Sequence, residues 1–254
     1  MKYYVTADIH GFYTELETAL REKGFFDDPD PHKLVVCGDL FDRGTEALQL
    51  QSFILELMEK DQVILIRGNH EDLTEKLLNT WHRGGYMQSH HIHNGTVDTV
   101  CQLTGFDSNA LFACSQEVGR AFLKSPYIQT IIPAMVDYYE TDRYIFVHGW
   151  IPCVADGNGV RFFTIPDWRS AETPLWDKAR WINGMAAAHN GITEAGKTIV
   201  CGHWNCSFGH ANYENDGDEY GENANHSPYY ADGIIALDGC TVLSRRVNCI
   251  VLED

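Results

Sequence analysis

Short apolar runs and apolar stripes of helical period alternate through the first third of the chain. Positions 3–7 form a nearly unbroken apolar run that ends at Asp8, the pattern of a strand buried on both faces. Positions 14–23 place Leu16, Ala19 and Leu20 on one face and stop at Gly24, which predicts an amphipathic helix. Positions 34–37 and 63–66 repeat the strand pattern. Between them, 47–60 carries Leu50, Phe53, Ile54, Leu57 and Met58 at helical spacing, and 71–81 predicts a third helix. Strands alternating with helices imply a right-handed βαβαβ start and a parallel sheet covered on both faces.

The pattern loosens from about 82 to 142, where Gly84-Gly85, Asn94-Gly95 and Pro126 interrupt short helical pieces. This stretch reads as a helical insertion within one domain spanning 1–254. Further strands are predicted at 144–147, 198–201, 234–237 and 248–252. The end of the chain reads as antiparallel runs at 234–237, 240–244 and 247–252, joined through Asp238-Gly239 and Arg245-Arg246. No internal repeat or low-complexity linker divides the chain.

Composition narrows the function classes. The 254 residues are 44% hydrophobic, enough for a sizeable core, and carry a net charge of -17. That field repels a nucleic-acid backbone and an anionic membrane, so neither is expected as a general partner. An anionic phosphate substrate would need local positive charge, which bound metal ions supply. The first residues lack the apolar core of a signal peptide, and no stretch is long enough to span a membrane. Eight scattered cysteines include no CxxC pair and read as reduced thiols, so a cytoplasmic protein is expected.

Each early strand ends in a polar turn containing glycine. The turns are Asp8-Ile9-His10-Gly11, Gly38-Asp39-Leu40-Phe41-Asp42-Arg43-Gly44 and Gly68-Asn69-His70-Glu71. Asp8, Asp39 and Asn69 recur roughly every 30 residues, one βαβ unit apart, so the turns should share the carboxyl edge of the sheet. Two later strands end alike, in Val147-His148-Gly149 and Cys201-Gly202-His203. A single such turn is explained by helix capping, which favours Asp and Asn. Capping does not call for histidine, and carboxylates gathered with imidazoles are costly unless cations neutralise them.

This set of turns resembles the calcineurin-like metallophosphoesterases, and more narrowly the PPP-type serine/threonine phosphatases with their bacterial relatives, which include symmetrical dinucleoside tetraphosphatases. The resemblance runs from Asp8 to at least His203. It implies an α/β fold of two mixed sheets flanked by helices, an α/β/β/α sandwich. It also implies that Asp8 and His10 bind one metal, that Asp39 bridges, and that Asn69, His148 and His203 bind the second. The donor set suits Mn2+ best, with iron or zinc also compatible. A hydroxide shared by the two cations would attack phosphorus in line. His70 is the expected general acid, Asp42 its orienting partner, and Arg43 a two-point clamp on the phosphate. Asn69 also faces the substrate in that scheme. A second phosphate-binding cation is expected from Lys178 or Arg180, with Arg180 favoured for its fork of donors. Glu71 is expected to support the turn or the helix start.

Several features depart from the family pattern or imitate other sites. Trp150 replaces a small residue after His148-Gly149, which would place an indole near the site. Asn205 stands where diesterase branches carry a second histidine, and with Arg43 this favours the phosphatase-like branch. His90-His91-x-His93 reads as exposed histidines on a flexible loop. The start at Asp216 lacks the closing ligands of a calcium loop, and 214–222 reads as an exposed acidic loop near the site rim. The leading expectation is hydrolysis of phosphomonoesters, phosphoserine and phosphothreonine in proteins foremost. Dinucleoside polyphosphates or related nucleotides are the second class. A non-catalytic phosphate-binding protein is the third, disfavoured because every expected ligand and the acid are present.

Overall fold

The structure, a computed structural model, describes residues 1–156 and 161–254. It opens with β1 (Lys2–Thr6), α1 (Tyr13–Lys23), β2 (His32–Cys37), α2 (Ala47–Glu59), β3 (Val63–Ile66) and α3 (Asn69–His82). Helix α1 stops at Gly24, whose φ of 82° admits a left-handed cap. Helix α3 begins two residues earlier than the periodicity predicts. Its Glu71 carboxylate turns back to accept the Gly68 N–H at 2.8 Å, so Asn69 and His70 fall in the first turn.

Between α3 and the next strand run α4 (Ser89–His93), α5 (Thr96–Thr104), α6 (Ser108–Ala113), α7 (Ser115–Phe122) and α8 (Ile132–Ala134). Val97, Val100, Leu111, Val118 and Phe122 from these helices share one core with α1, α2 and α3. The second half contains β4 (Tyr139–Glu140), β5 (Tyr144–Phe146), β6 (Cys153–Ala155), β7 (Phe162–Thr164), α9 (Thr173–Ala179), α10 (Gly184–His189), β8 (Thr198–Cys201), α11 (Cys206–Gly209), β9 (Tyr229–Ala231), β10 (Ile234–Ala236), α12 (Thr241–Ser244) and β11 (Cys249–Glu253).

Two mixed sheets result, ordered β11-β1-β2-β3 and β4-β5-β8-β10-β9, with β6 and β7 forming a separate hairpin. Alternation along the strands assigns the layers. Tyr4, Leu34 and Val36 face the helices of the first half. Tyr3, Val5, Val35 and Cys37 face the opposite way and meet Phe146, Val200, Ile235 and Leu237 of the second sheet. Ile145, Ile199 and Ile234 point outward to Trp176, Met185 and Cys206 around α9, α10 and α11. The expected α/β/β/α sandwich is the observed one. Each large apolar side chain buried between layers contributes roughly 1.5–3 kcal/mol, so this packing aligns the two sheet edges firmly.

Three expectations fail in detail. The end of the chain is not an antiparallel meander. Positions 241–244 are helical, and the chain crosses from the second sheet to the first, where β11 pairs antiparallel with β1 from Lys2↔Glu253 to Thr6↔Cys249. The crossing supplies β1 with a second neighbour and buries Ile250 between the sheets. Trp150 is not at the site: it is 1% exposed, and its indole N–H donates to the Ile192 carbonyl at 3.0 Å. The histidines at 90–93 lie on α4, with His91 buried and its Nε2 3.2 Å from that of His90. All eight cysteines are unpaired. Among the described residues, no helix is long and apolar enough to cross a membrane.

Candidate metal centre

The carboxyl ends of β1, β2 and β3 abut those of β5, β8 and β10. Backbone bonds continue each sheet into its turns: Asp8 N–H donates to Gly38 O in the first sheet, and Gly202 N–H to His148 O and Leu237 N–H to Cys201 O in the second. The turns must then bend sharply to bring their side chains inward. Asp8, His10, Asp39, Asp42, Arg43 and His203 all have φ between 51° and 75°. Left-handed backbone at a residue other than glycine costs on the order of 1–3 kcal/mol, and it persists where surrounding structure enforces it.

Asp39 lies at the middle. Its Oδ2 is 3.8 Å from Nε2 of both His10 and His70, and its Oδ1 is 3.4 Å from Nε2 of His148. Two groups follow, His10–Asp39–His70 and Asp39–His148–His203, each with ligand-capable atoms within 4.8 Å of one another. Burial opposes a charge on Asp39, but the imidazoles gathered around it, among which His70 keeps a raised pKa, hold its carboxyl well below the usual carboxylate range. Burial pushes the imidazoles of His10, His148 and His203 down, His203 to about 3, which leaves them neutral with a free lone pair.

Second partners aim those lone pairs inward. His10 Nδ1 donates to Phe41 O at 3.0 Å and His148 Nδ1 to Cys37 O at 2.8 Å. His148 Nε2 then faces Asn69 Oδ1 at 2.7 Å, two acceptors that a shared cation satisfies. Arg43 Nη1 already stands 3.1 Å from His10 Nε2, so positive charge is accommodated there. Neutral imidazoles, a shared ionised carboxylate and an amide oxygen fit divalent metal ions. Asp8 belongs to neither group. One of its carboxylate oxygens accepts the His203 N–H at 2.9 Å, and burial together with Asp238 and Asp39 pushes its pKa well up.

The sequence pattern places Asp238 in a hairpin turn, yet it is buried and pushed up to about 6, chiefly by burial. Its signal was present: it follows the β10 strand end beside a glycine, as the other five do. Thr241 Oγ1 donates to Asp8 O at 3.1 Å and fastens this last turn to the first.

His70 differs from the other imidazoles. Burial works against its charge, but Asp39 and Asp42 outweigh it and raise its pKa. Its Nδ1 donates to Asp42 Oδ2 at 2.7 Å, and Arg43 Nη2 lies 3.2 Å from its Nε2. Helix α5 grips this pair. Thr96 and Thr99 hydroxyls donate to the two Asp42 oxygens, each at 2.8 Å, and Thr99 Oγ1 accepts the Asp42 N–H at 2.9 Å. The approach is close enough that a Cβ on Gly95 would lie 2.2 Å from Arg43 N. Neither threonine was picked out from the sequence, because a contact 57 residues away has no local signature. Thr99→Val, of similar shape without the hydroxyl, is expected to lower kcat about ten- to hundredfold, as loss of an orienting partner typically does. Steady-state kinetics that show less than a twofold change would remove α5 from the site.

Glu71 accepts N–H bonds from Gly68, Asp39 and Leu40, and burial pushes its carboxyl up to about 7. It supports two of the turns at once.

Arg180 is not free to hold phosphate. It is 3% exposed, and its guanidinium donates to Asp72, Asp137 and Asp177. Lys178 is exposed on α9. The backbone at 179–180 packs on Gly149, so the Arg180 pairs anchor this segment against the His148 turn. Arg180→Met should cost about 3 kcal/mol by leaving Asp72 short of a partner. Chemical denaturation tests this, and a variant of unchanged stability with a raised KM would restore the phosphate role.

The calcineurin-like phosphoesterase family matches residues 1–235. The chain belongs to that family. The PrpE-type asymmetrical bis(5'-nucleosyl)-tetraphosphatase of Geobacillus sp. strain WCH70 is 36% identical over 76 residues, 28% of this chain and 31% of the relative. A symmetrical bis(5'-nucleosyl)-tetraphosphatase of Buchnera aphidicola is 37% identical over 71 residues, covering 28% and 24%. Serine/threonine-protein phosphatase 1 of Salmonella typhimurium is 40% identical over 70 residues, covering 28% and 30%. The matched stretch thus spans a quarter to a third of each relative's length. A crystal structure provisionally named a diadenosine tetraphosphatase shares the fold, with a TM-score of 0.51 at 16% identity over 99% of this chain and 89% of that one.

Proposed function

We propose that this calcineurin-like phosphoesterase hydrolyses a phosphate ester or anhydride at a two-metal centre. The observation that carries the reading is Asp39, which turns one carboxylate oxygen to each of two ligand groups. His10 with Asp8 would hold one ion, Asp39 both, and Asn69, His148 and His203 the other. Two divalent ions, manganese best matched to the oxygen-rich set, would acidify a shared water and offset charge on phosphate oxygens.

The chain's own residues do the rest. Arg43 presents its fork between His10 and His70, where two phosphate oxygens can accept from it. His70 gives its Nε2 proton to the leaving oxygen, and Asp42 fixes the ring and balances its charge. The three convergent donors on Asp42 keep that geometry in place before substrate arrives.

For the substrate, the nucleotide anhydride takes precedence over the phosphoserine and phosphothreonine first expected. The Geobacillus and Buchnera relatives bear dinucleoside tetraphosphatase names, and open indole surface borders His203. The Salmonella phosphatase supports the phosphoprotein reading, which uses the same residues. Manganese-loaded turnover on diadenosine tetraphosphate and a phosphothreonine peptide, with His70→Asn as control, tests the choice. Faster turnover of the dinucleotide is expected, with the variant severely impaired. A fully loaded protein inert towards both would leave a phosphate-binding protein instead.

A further inference from the structure

The chain has six tryptophans. Trp81, Trp150, Trp168 and Trp176 are buried to 5% exposure or less. The two that keep solvent-facing surface are Trp181, 47% exposed, and Trp204, partly buried. These are also the two whose rings meet the imidazole of His203. Their centroids lie 5.7 and 6.0 Å from it, at interplanar angles of 82° and 67°. Leaving an indole half in water forgoes much of the gain from burying it, and that loss falls beside the second ligand group alone.

The position of Trp181 is held from both sides. Its neighbour Arg180 is locked by three carboxylates, and its own backbone carbonyl lies within hydrogen-bonding reach of the His203 ring. Backbone and guanidinium are therefore committed, and the indole is left presented at the edge of the centre. Trp204 continues inward to Phe208 at 6.1 Å, which backs the surface with packed aromatic rings.

A ligand suited to this edge brings a π-face close to a phosphate. Charge does not distinguish a base-bearing ligand from a base-free one, because both offer the same phosphate to Arg43 and to the metal ions. The chain carries a net -17, and the neighbouring guanidiniums of Arg67, Arg169 and Arg180 are each spent on carboxylates. Stacking requires no charge, and base–aromatic stacking tolerates any base. Resting on the phosphoesterase reading above, we infer that Trp181, supported by Trp204, is the nucleobase platform that selects nucleoside phosphates over base-free ones.

The test compares Trp181→Ala and Trp181→Phe with wild type on diadenosine tetraphosphate and on inorganic tripolyphosphate, which has the anhydride without a base. Trp181→Ala is expected to lower kcat/KM for the dinucleotide about ten- to hundredfold relative to tripolyphosphate, mainly through KM, and Trp181→Phe to recover most of it. Quenching of indole fluorescence by adenosine monophosphate gives a second readout that needs no turnover, and it should weaken by a similar factor in the alanine variant. Equal losses on both substrates would show that Trp181 only holds His203 and would overturn the inference. So would adenosine monophosphate binding that survives the substitution unchanged. If wild type hydrolyses neither substrate while still binding the nucleotide through Trp181, the hydrolytic reading fails and the platform stands.

Discussion

Asp39→Asn is expected to strip both metal ions from the centre and to lower turnover on the order of 1000-fold or more. The substitution keeps the side chain's shape and can still accept the His70 N–H that Asp39 Oδ1 takes at 3.0 Å. What it removes is the charge shared between the two ligand groups. Three of the surrounding imidazoles are neutral and Asn69 is an amide, so Asp39 is the anionic donor common to both groups. An amide offers one oxygen where two are needed, so at best one ion has a partner. Metal content measured by mass spectrometry, paired with turnover, decides the matter. Two ions per chain with activity within tenfold of wild type would sink the shared-ligand assignment.

Gly38→Ala is expected to destabilise the fold and to disturb the metal centre at once. Gly38 has φ of 82°, and a Cβ there would sit 2.3 Å from His148 Nδ1 and 2.9 Å from Gly68 Cα. The left-handed conformation costs about 1–2 kcal/mol for alanine. Overpacking a rigid site costs about 1–3 kcal/mol more. The nitrogen displaced is the one that donates to Cys37 O, so the ring loses the bond that aims Nε2 at the metal. A total of about 2–5 kcal/mol should lower the melting temperature by roughly 5–20 °C in a chain of this size. Gly24→Ala is the matched control, because Gly24 also has φ of 82° but nothing within 4 Å of the added carbon. Thermal unfolding that shifts equally in both variants would mean that backbone strain alone matters and that His148 tolerates the intrusion.

Much of the fold was legible because its signals are local. Short apolar runs and helical-period stripes read out β1, β2, β3, α1 and α2 within a residue or two. The ends at Asp8, Asp39, Asn69, His148 and His203 stood out because a strand that stops in a glycine turn with a metal-capable side chain has little structural reason to do so. The same rule would have found Asp238, had Asp-Gly not also been the commonest hairpin signal. The middle was harder. Helices α4 to α7 are short, and they pack on one another as well as on α2 and α3, so their stability comes from tertiary packing more than from propensity.

The sequence by itself determined which strand ends carry metal-capable residues, and with them the family and the class of chemistry. The tertiary structure decided everything that depends on pairs far apart in the chain. It placed Thr96 and Thr99 on Asp42, committed Arg180 to Asp72, buried Trp150 while leaving Trp181 open, and sent β11 to β1. A charged or aromatic side chain reads the same in sequence whether it is free or spent. Only the packed molecule settles what each group meets, because a buried ionic or hydrogen-bonding group is stable where its partner sits and costly wherever that partner is missing.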